Sequence, residues 1–389
     1  MADSRPAPAS AVPLTTIARE WLRLGTLGFG GPPAHIAMLE KLCVRDRRWL
    51  SEAEFGNAVA AVNLLPGPAS TQLAIYCAWR LRGVRGGLLG GFCFIAPGAV
   101  AVLALAVPLL RAEPNRLLFG AAAGAGAAVG PVALHAAAAL VPASWHRAGP
   151  GTAARVRWSL YAAAGAVATV LLGAWVALVI LVCGAVEAAV RSPLHRHWVP
   201  PLALGLPALV PAGTLAGLCY VAVKVGALSY GGGFVIVPLM QTDAVSTYHW
   251  LTDTEFTTAV ALGQVTPGPV VHTMGAVGYG AAGLGGGLLA LVIAFAPSFL
   301  FVLVGGRSFD RLHDNERAQA FLTGAGPAAI GAIGGSAVLL SSGLGQPWQF
   351  GVLAAAALWL LVARRGVVSA LVGAGAVGLA AALLHWPLP

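Results

Sequence analysis

The chain has 389 residues, of which 58% are hydrophobic and only 10% are charged, and its mean hydropathy is +0.80. This composition lies far outside that of soluble domains and excludes an ordinary water-soluble enzyme or binding module. The formal net charge is +9, but the arginines fall in short loops between apolar segments rather than in one stripe. Membrane topology explains such loops, so we expect no nucleic-acid partner.

The apolar segments meet the length of about 20 residues that a membrane-spanning helix needs, which favours helices over a barrel. The sequence therefore predicts an all-α polytopic membrane protein in the lipid bilayer, with about 10–12 membrane helices as well as broken, re-entrant ones. Residues 1–14 are polar and proline-rich, which predicts a mobile tail and not a signal peptide. The five cysteines show no CxxC or metal spacing. We expect all five to be free, and we expect neither a metal nor a cofactor.

The sequence contains two similar halves. The segment WLSEAEFGNAVAAVNLLPGP, residues 49–68, matches WLTDTEFTTAVALGQVTPGP, residues 250–269, in one register. The match includes a tryptophan, a glutamate, a phenylalanine and a Pro-Gly-Pro triplet, and after a one-residue gap it continues into the following segments. We therefore predict one membrane repeat over residues 15–200 and a second over residues 201–389.

The placement of arginine predicts that the two repeats have opposite orientations. Arginines occupy three loops of the first half, around residues 45–48, 80–85 and 147–157, and the equivalent loops of the second half have none. The bias reverses at Arg364 and Arg365, whose equivalent turn near Gly173 is uncharged. Because short cytoplasmic loops collect arginine, this complementary pattern predicts an inverted repeat.

The Pro-Gly-Pro triplets predict breaks inside the membrane. Each divides an apolar stretch into pieces of about a dozen residues, roughly 18 Å of helix, which is too short to span a bilayer. We expect two short helices that enter and leave by the same face. A new helix then begins at membrane depth, where its free N–H groups and positive dipole end favour an anion. The GGPPAH segment at residues 30–35 and the SYGGG segment at residues 229–233 predict further breaks.

These four breaks define a candidate anion site at the pseudo-twofold axis between the halves. Glycine and proline also serve plain helix packing in membranes, but four breaks at equivalent positions favour a site. The candidate residues of the first half are Gly30, Gly31, His35, Asn63, Pro66, Gly67, Pro68, Ser70, Thr71 and Gln72. Those of the second half are Lys224, Gly231, Gly232, Gly233, Gln264, Pro267, Gly268, Pro269, His272 and Thr273.

Four charged or titratable residues have two interpretations each. His35, of a residue type with an ordinary pKa of about 6.5, either contacts substrate or protons or caps a helix. Lys224 lies in an apolar span and is a candidate counter-charge for the anion, unless it snorkels to the interface. Glu54 and Glu255 are candidates for proton coupling, but their LSEAEF and LTDTEF contexts favour a capping role.

At these residues the sequence resembles the chromate ion transporter family. The FGGPPAH segment, residues 29–35, matches the family's Gly-Gly-Pro-x-Ala-His signature, and the two Pro-Gly-Pro motifs lie where its long members repeat them. The resemblance implies a bidomain protein that exports chromate from the cytoplasm by proton-coupled antiport across the cytoplasmic (inner) membrane, with sulfate as a similar anion. The second half has YGGGFV in place of the signature, so the family's histidine is matched only by His35.

Other functions stay open at this stage. A transporter or uptake system for sulfate or another oxyanion would need the same donors, and an anion channel would share the topology. A membrane enzyme is disfavoured, because the sequence has no HExxH, DxxD or Cys/His ligand cluster. The sequence does not determine the oligomeric state and is compatible with a homodimer.

Overall fold

The computed structural model describes residues 12–29, 31–62, 65, 67–110, 115–191, 213–229, 236–306 and 315–389. These residues form helices and no strands. The helices of the first half are α1 (Leu14–Leu27), α2 (Gly31–Glu40), α3 (Glu52–Val62), α4 (Ala69–Leu109), α5 (Arg116–Ala127), α6 (Val129–Ala148), α7 (Thr152–Leu172) and α8 (Val176–Arg191). Those of the second half are α9 (Thr214–Leu228), α10 (Ile236–Gln241), α11 (Asp253–Val265), α12 (Thr273–Gly305), α13 (Glu316–Ser342), α14 (Pro347–Ala357) and α15 (Val367–Leu383).

Irregular backbone recurs at equivalent positions of the two halves, which confirms the repeat. A π-helical turn follows α2 at Lys41–Asp46 and follows α10 at Thr242–Thr247. The central glycines of the two Pro-Gly-Pro turns, Gly67 and Gly268, have φ angles of +118° and +108°. Such angles are open to glycine and strained for other residues, so the repeat preserves the exceptional conformations as well as the helices.

Helices α4 and α12 are each folded back on themselves. Non-helical backbone at Arg82 and Gly83 divides α4 into a first limb, residues 69–81, and a second limb, residues 84–109. A Cβ atom on Gly90 would lie 2.4 Å from the Cβ atom of Ala78, a contact that a straight helix could not make. Helix α12 bends in the same way at Ala282 and Gly283. The first limb of α4 and the short helix α3 are the two short helices for which the sequence predicts a re-entrant pair.

The second limbs of α4 and α12 cross at the centre of the molecule. A Cβ atom on Gly87 would lie 2.8 Å from Leu303 Cδ2, and one on Gly287 would lie 2.6 Å from Leu103 Cδ2. The early residues of each limb thus contact the late residues of the other, so the two equivalent limbs are antiparallel. This is the relation that an inverted repeat requires of equivalent membrane segments.

The last helices of each half pack against the other half of the chain. Helices α7 and α8 of the first half pack on α13 of the second, and α15 of the second half packs on α5 of the first. Small residues permit the close approach: a Cβ atom on Gly331 would lie 1.8 Å from the carbonyl oxygen of Ala162, and one on Gly124 would lie 2.2 Å from that of Ala374. Neither half could therefore keep its packing alone.

The predicted fold class is confirmed. Four helical stretches are long and apolar enough to cross a membrane, namely Ala69–Leu109, Arg116–Ala148, Val270–Gly305 and Glu316–Ser342, and shorter apolar helices accompany them. The five cysteines are free. The orientation of each half relative to the two sides of the membrane stays a prediction, and so do the domain boundaries.

The inverted orientation can be tested by labelling single cysteines in a cysteine-free background. Asp46→Cys and Thr247→Cys occupy equivalent, exposed positions of the two halves, and Arg365→Cys lies in the arginine pair. We expect an impermeant maleimide to reach positions 46 and 365 from the cytoplasmic side and position 247 from the opposite side. Labelling of positions 46 and 247 from one side would contradict the inverted repeat.

Candidate functional site

The first Pro-Gly-Pro turn ends in a helix N-terminus inside the protein. Pro68 is the N-cap of α4, and its carbonyl oxygen accepts hydrogen bonds from the N–H groups of Thr71 at 2.9 Å and Gln72 at 3.1 Å. The N–H groups of Ala69 and Ser70 precede these and have no acceptor within the helix. The side chains of Ser70, Thr71 and Gln72 are all fully buried. Backbone and side-chain donors are therefore concentrated at one buried helix end.

The second turn repeats this arrangement. Pro269 precedes a short 3-10 turn, Val270–His272, and its carbonyl oxygen accepts the N–H of His272 at 3.0 Å. His272 and Thr273 are fully buried. A Cβ atom on Gly263 of α11 would lie 2.1 Å from Thr273 Oγ1, so the threonine hydroxyl fits against the end of the incoming helix.

Each turn contacts the opposite half of the chain. The N–H of Gly268 donates a hydrogen bond of 2.9 Å to the carbonyl oxygen of Gly28, at the end of α1. A Cβ atom on Gly98 would lie 2.1 Å from the carbonyl oxygen of Pro267. In the first turn, a Cβ atom on Gly67 would lie 3.4 Å from both the Gly226 carbonyl oxygen and Ser298 Oγ. Because Gly98 and Ser298 lie beside the crossing of α4 and α12, both turns converge on it.

Two buried histidines bind backbone carbonyls beside these turns. The Nε2–H of His35 donates to the carbonyl oxygen of Gly28 at 2.8 Å, and that of His272 donates to the carbonyl oxygen of Ile95 at 3.1 Å. Only a donor can pair with a carbonyl oxygen, which assigns the proton to Nε2 in both rings. His35 therefore caps the end of α1, and the Nδ1 atoms of both rings have no partner among the residues that the structure describes.

Unpartnered polar atoms cluster around the turns. The buried side-chain atoms without a hydrogen-bond partner include Ser70 Oγ, Thr71 Oγ1, Thr273 Oγ1, Ser298 Oγ, Ser229 Oγ, Gln264 Nε2, and Nδ1 of His35 and His272. Each such group costs about 1–3 kcal/mol when it is left unpaired, and natural proteins keep few of them. Most can donate a hydrogen bond, so the cluster has the chemistry of a site for a ligand rich in acceptors.

Lys224 is not an isolated cation. Its Nζ atom lies 2.6 Å from Asp243 Oδ2, and both side chains are buried. The ammonium group also lies 5.6 Å from the centre of the Tyr220 ring. The ion pair between Lys224 and Asp243 links α9 to the π-helical turn after α10. It therefore holds together the two helices that flank the second-half break. The repeat does not preserve it, because the first half has Arg23 and Leu42 at the equivalent positions.

Glu54 and Glu255 have the capping role that the sequence favours. The carboxylate of Glu255 accepts the N–H of Thr252 at 2.8 Å, while Thr252 Oγ1 accepts the N–H of Glu255 at 3.3 Å. Glu54 makes the equivalent bonds with Ser51 and an ion pair with Arg80. Both glutamates lie at the starts of α3 and α11, and the Pro-Gly-Pro turns follow the ends of these helices. This separation places them away from the cluster.

Comparison with known proteins identifies the family. The model of the chromate transporter family matches residues 15–188 and 216–379. The chain belongs to the chromate transporter family. Its members are membrane transporters and not enzymes, and the two matched regions correspond to the two halves of the fold.

Three relatives extend over most of this transporter. A chromate transport protein of Cupriavidus metallidurans is 32% identical over 378 residues, which cover 94% of this chain and 92% of the relative. A probable chromate transport protein of Synechococcus elongatus is 32% identical over 85% of each chain. A chromate transport protein of Pseudomonas aeruginosa is 30% identical over 82% of this chain and 79% of the relative. No solved structure matches the chain.

The described residues of the two Pro-Gly-Pro turns lie at the contacts given above, while the anion site of this chromate transporter stays a prediction. Gly30, Asn63, Pro66, Gly231, Gly232 and Gly233 lie outside the described residues, and Gly31 begins α2 with a φ of +73°. The predicted site does not include Ser229, Ser298, Gly98 or Asp243. Ser298 follows Pro297, and Gly98 follows the equivalent Pro97. The alignment of the two halves therefore contained a signal for both residues.

Proposed function

We propose that this multi-pass membrane protein exports chromate, a tetrahedral oxyanion, across the cytoplasmic membrane. The observation that supports this most strongly is the cluster of buried, unpartnered donors at two helix N-termini. The names of the relatives supply the substrate, and the bacterial sources of those three relatives are consistent with the inner membrane.

The chemistry of the cluster suits a dianion with four acceptor oxygens. Hydroxyl groups surround the turns, and each helix N-terminus contributes roughly half a positive charge. The Lys224 ammonium is already paired with Asp243, so we assign binding to neutral donors and helix dipoles. Lys224 then has the different role of holding the second-half break in shape.

Removing one unpartnered hydroxyl should weaken binding. Thr71→Val and Thr273→Val keep the size and branching of the side chain and delete one donor from each turn. We expect each to lower chromate affinity about five- to hundredfold, which corresponds to the roughly 1–3 kcal/mol of one buried hydrogen bond. Titration of purified protein with chromate, and competition with sulfate, measures the effect.

Thr266 offers a matched control. It precedes Pro267 directly and is equally buried, but its Oγ1 already donates to the carbonyl oxygen of Leu262 at 2.8 Å. Thr266→Val should therefore leave chromate affinity within about twofold of wild type. If Thr71→Val and Thr273→Val both bound chromate with wild-type affinity, the anion site would have to lie elsewhere in the protein.

We further propose that protons move opposite to chromate, and that His35 carries the coupled proton. Its Nε2 atom is bound to Gly28, while its buried Nδ1 atom is free to accept a proton. An antiporter holds the proton and the anion in alternation, so protonation of His35 should accompany the release of chromate. His272 has the same arrangement in the second turn and is the candidate for a second proton.

His35→Gln should separate binding from coupling. The glutamine amide can still donate to Gly28, so we expect anion binding to persist while the pH dependence of transport flattens. The exposed His146→Gln is the control and should retain wild-type pH dependence. In proteoliposomes with an imposed pH gradient, antiport predicts that chromate moves toward the acidic side. Movement toward the alkaline side, or an unaltered pH profile in His35→Gln, would contradict this assignment.

A further inference from the structure

The outer surface of the second half has an apolar groove between α14 and α15. The groove has a volume of about 510 Å³, and its walls are mostly small residues, with Trp348 and Trp386 at one end and Trp359 at the other. Cβ atoms on Gly351 and Gly373 would meet no other atom within 4 Å. The space is therefore open along both helices. Tryptophan is typical of the two interfaces of a membrane, so the groove extends along the apolar layer.

Two arginines stand at one end of this groove. Arg364 and Arg365 form the turn between α14 and α15, and both are exposed. The N–H of Arg365 donates to the carbonyl oxygen of Trp359 at 3.0 Å, and the Trp359 indole donates to Ser369 Oγ at 3.0 Å. The arginine pair is thus joined directly to residues that line the groove. No Asp or Glu follows Glu316 in the sequence, so residues 317–389 supply no side-chain carboxylate to neutralise the pair.

The equivalent turn of the first half lacks the arginine pair and is packed against other residues. It lies at Gly173–Trp175 and is uncharged. A Cβ atom on Gly173 would lie 2.9 Å from Thr242 Oγ1, which shows that this turn packs against the second half. The exposed arginine pair beside the groove is therefore a feature of the second-half hairpin that the uncharged first-half turn does not share.

We propose that the groove between α14 and α15 binds an anionic phospholipid, with an acyl chain along the small-residue walls and the headgroup phosphate on Arg364 and Arg365. The sequence predicts that this turn is cytoplasmic, where anionic lipids attract basic residues near the surface. A second copy of the chain fits less well. A symmetric interface here would bring four arginines together, and such like-charge contacts disfavour association.

Native mass spectrometry of the purified full chain tests the proposal. The probes are dioleoyl phosphatidylglycerol and dioleoyl phosphatidylcholine, which share acyl chains and differ in headgroup charge. We expect the wild type to retain phosphatidylglycerol roughly ten- to thirtyfold more tightly, as two surface arginines would supply. Arg364→Gln/Arg365→Gln should abolish that preference. Arg147→Gln/Arg155→Gln removes the same charge from the exposed ends of α6 and α7 and should keep that preference.

A variant that fills the groove distinguishes the contribution of the acyl chain to binding from that of the headgroup. Gly373→Leu projects into open space, and leucine favours a helix over glycine, so the variant should fold. We expect it to weaken retention of both lipids. Equal retention of the two lipids by the wild type, or an unchanged preference in the variant lacking Arg364 and Arg365, would overturn the proposal. A stable wild-type dimer that Gly373→Leu converts to monomer would identify a second copy as the occupant, and would also overturn it.

Discussion

A helix that breaks inside a bilayer exposes peptide groups to which lipid offers no hydrogen bond. In this structure the main acceptor at such a break is the carbonyl oxygen of Gly28. It accepts hydrogen bonds from the imidazole of His35 and from the N–H of Gly268. Its two donors come from opposite halves of the chain. The break after α1 is therefore satisfied in part by the second half, and the two broken halves must fold against each other.

The same constraint explains the small residues at the centre. Gly98 admits the second Pro-Gly-Pro turn because any side chain there would collide with Pro267 and His272. At the equivalent position the first turn meets Ser298, whose hydroxyl has no partner. Duplication thus gives the two turns related surroundings that have since diverged. An imidazole lines the second turn, and a hydroxyl lines the first. The ion pair between Lys224 and Asp243 is a further difference, present in the second half alone.

The sequence was sufficient where local rules decide the outcome. The Pro-Gly-Pro turns, the capping boxes at Glu54 and Glu255 and the repeat follow from residue type and spacing, and the structure contains all of them. Other features that depend on distant packing left no readable signal. Asp243 looks like an ordinary polar loop residue until the fold places it beside Lys224. The exchange of helices between halves rests on contacts such as Gly331 with Ala162, and glycine or alanine does not specify its partner in sequence.

The central claim is that neutral donors at the two Pro-Gly-Pro turns hold the anion. Crystals grown with chromate, measured at the chromium absorption edge, would locate the bound metal atom directly. We expect an anomalous peak at the crossing of α4 and α12, with chromate oxygens at about 2.7–3.2 Å from the donors of Thr71 or Thr273. A peak at the Lys224 and Asp243 pair or at the surface arginines, with none at the turns, would contradict the account.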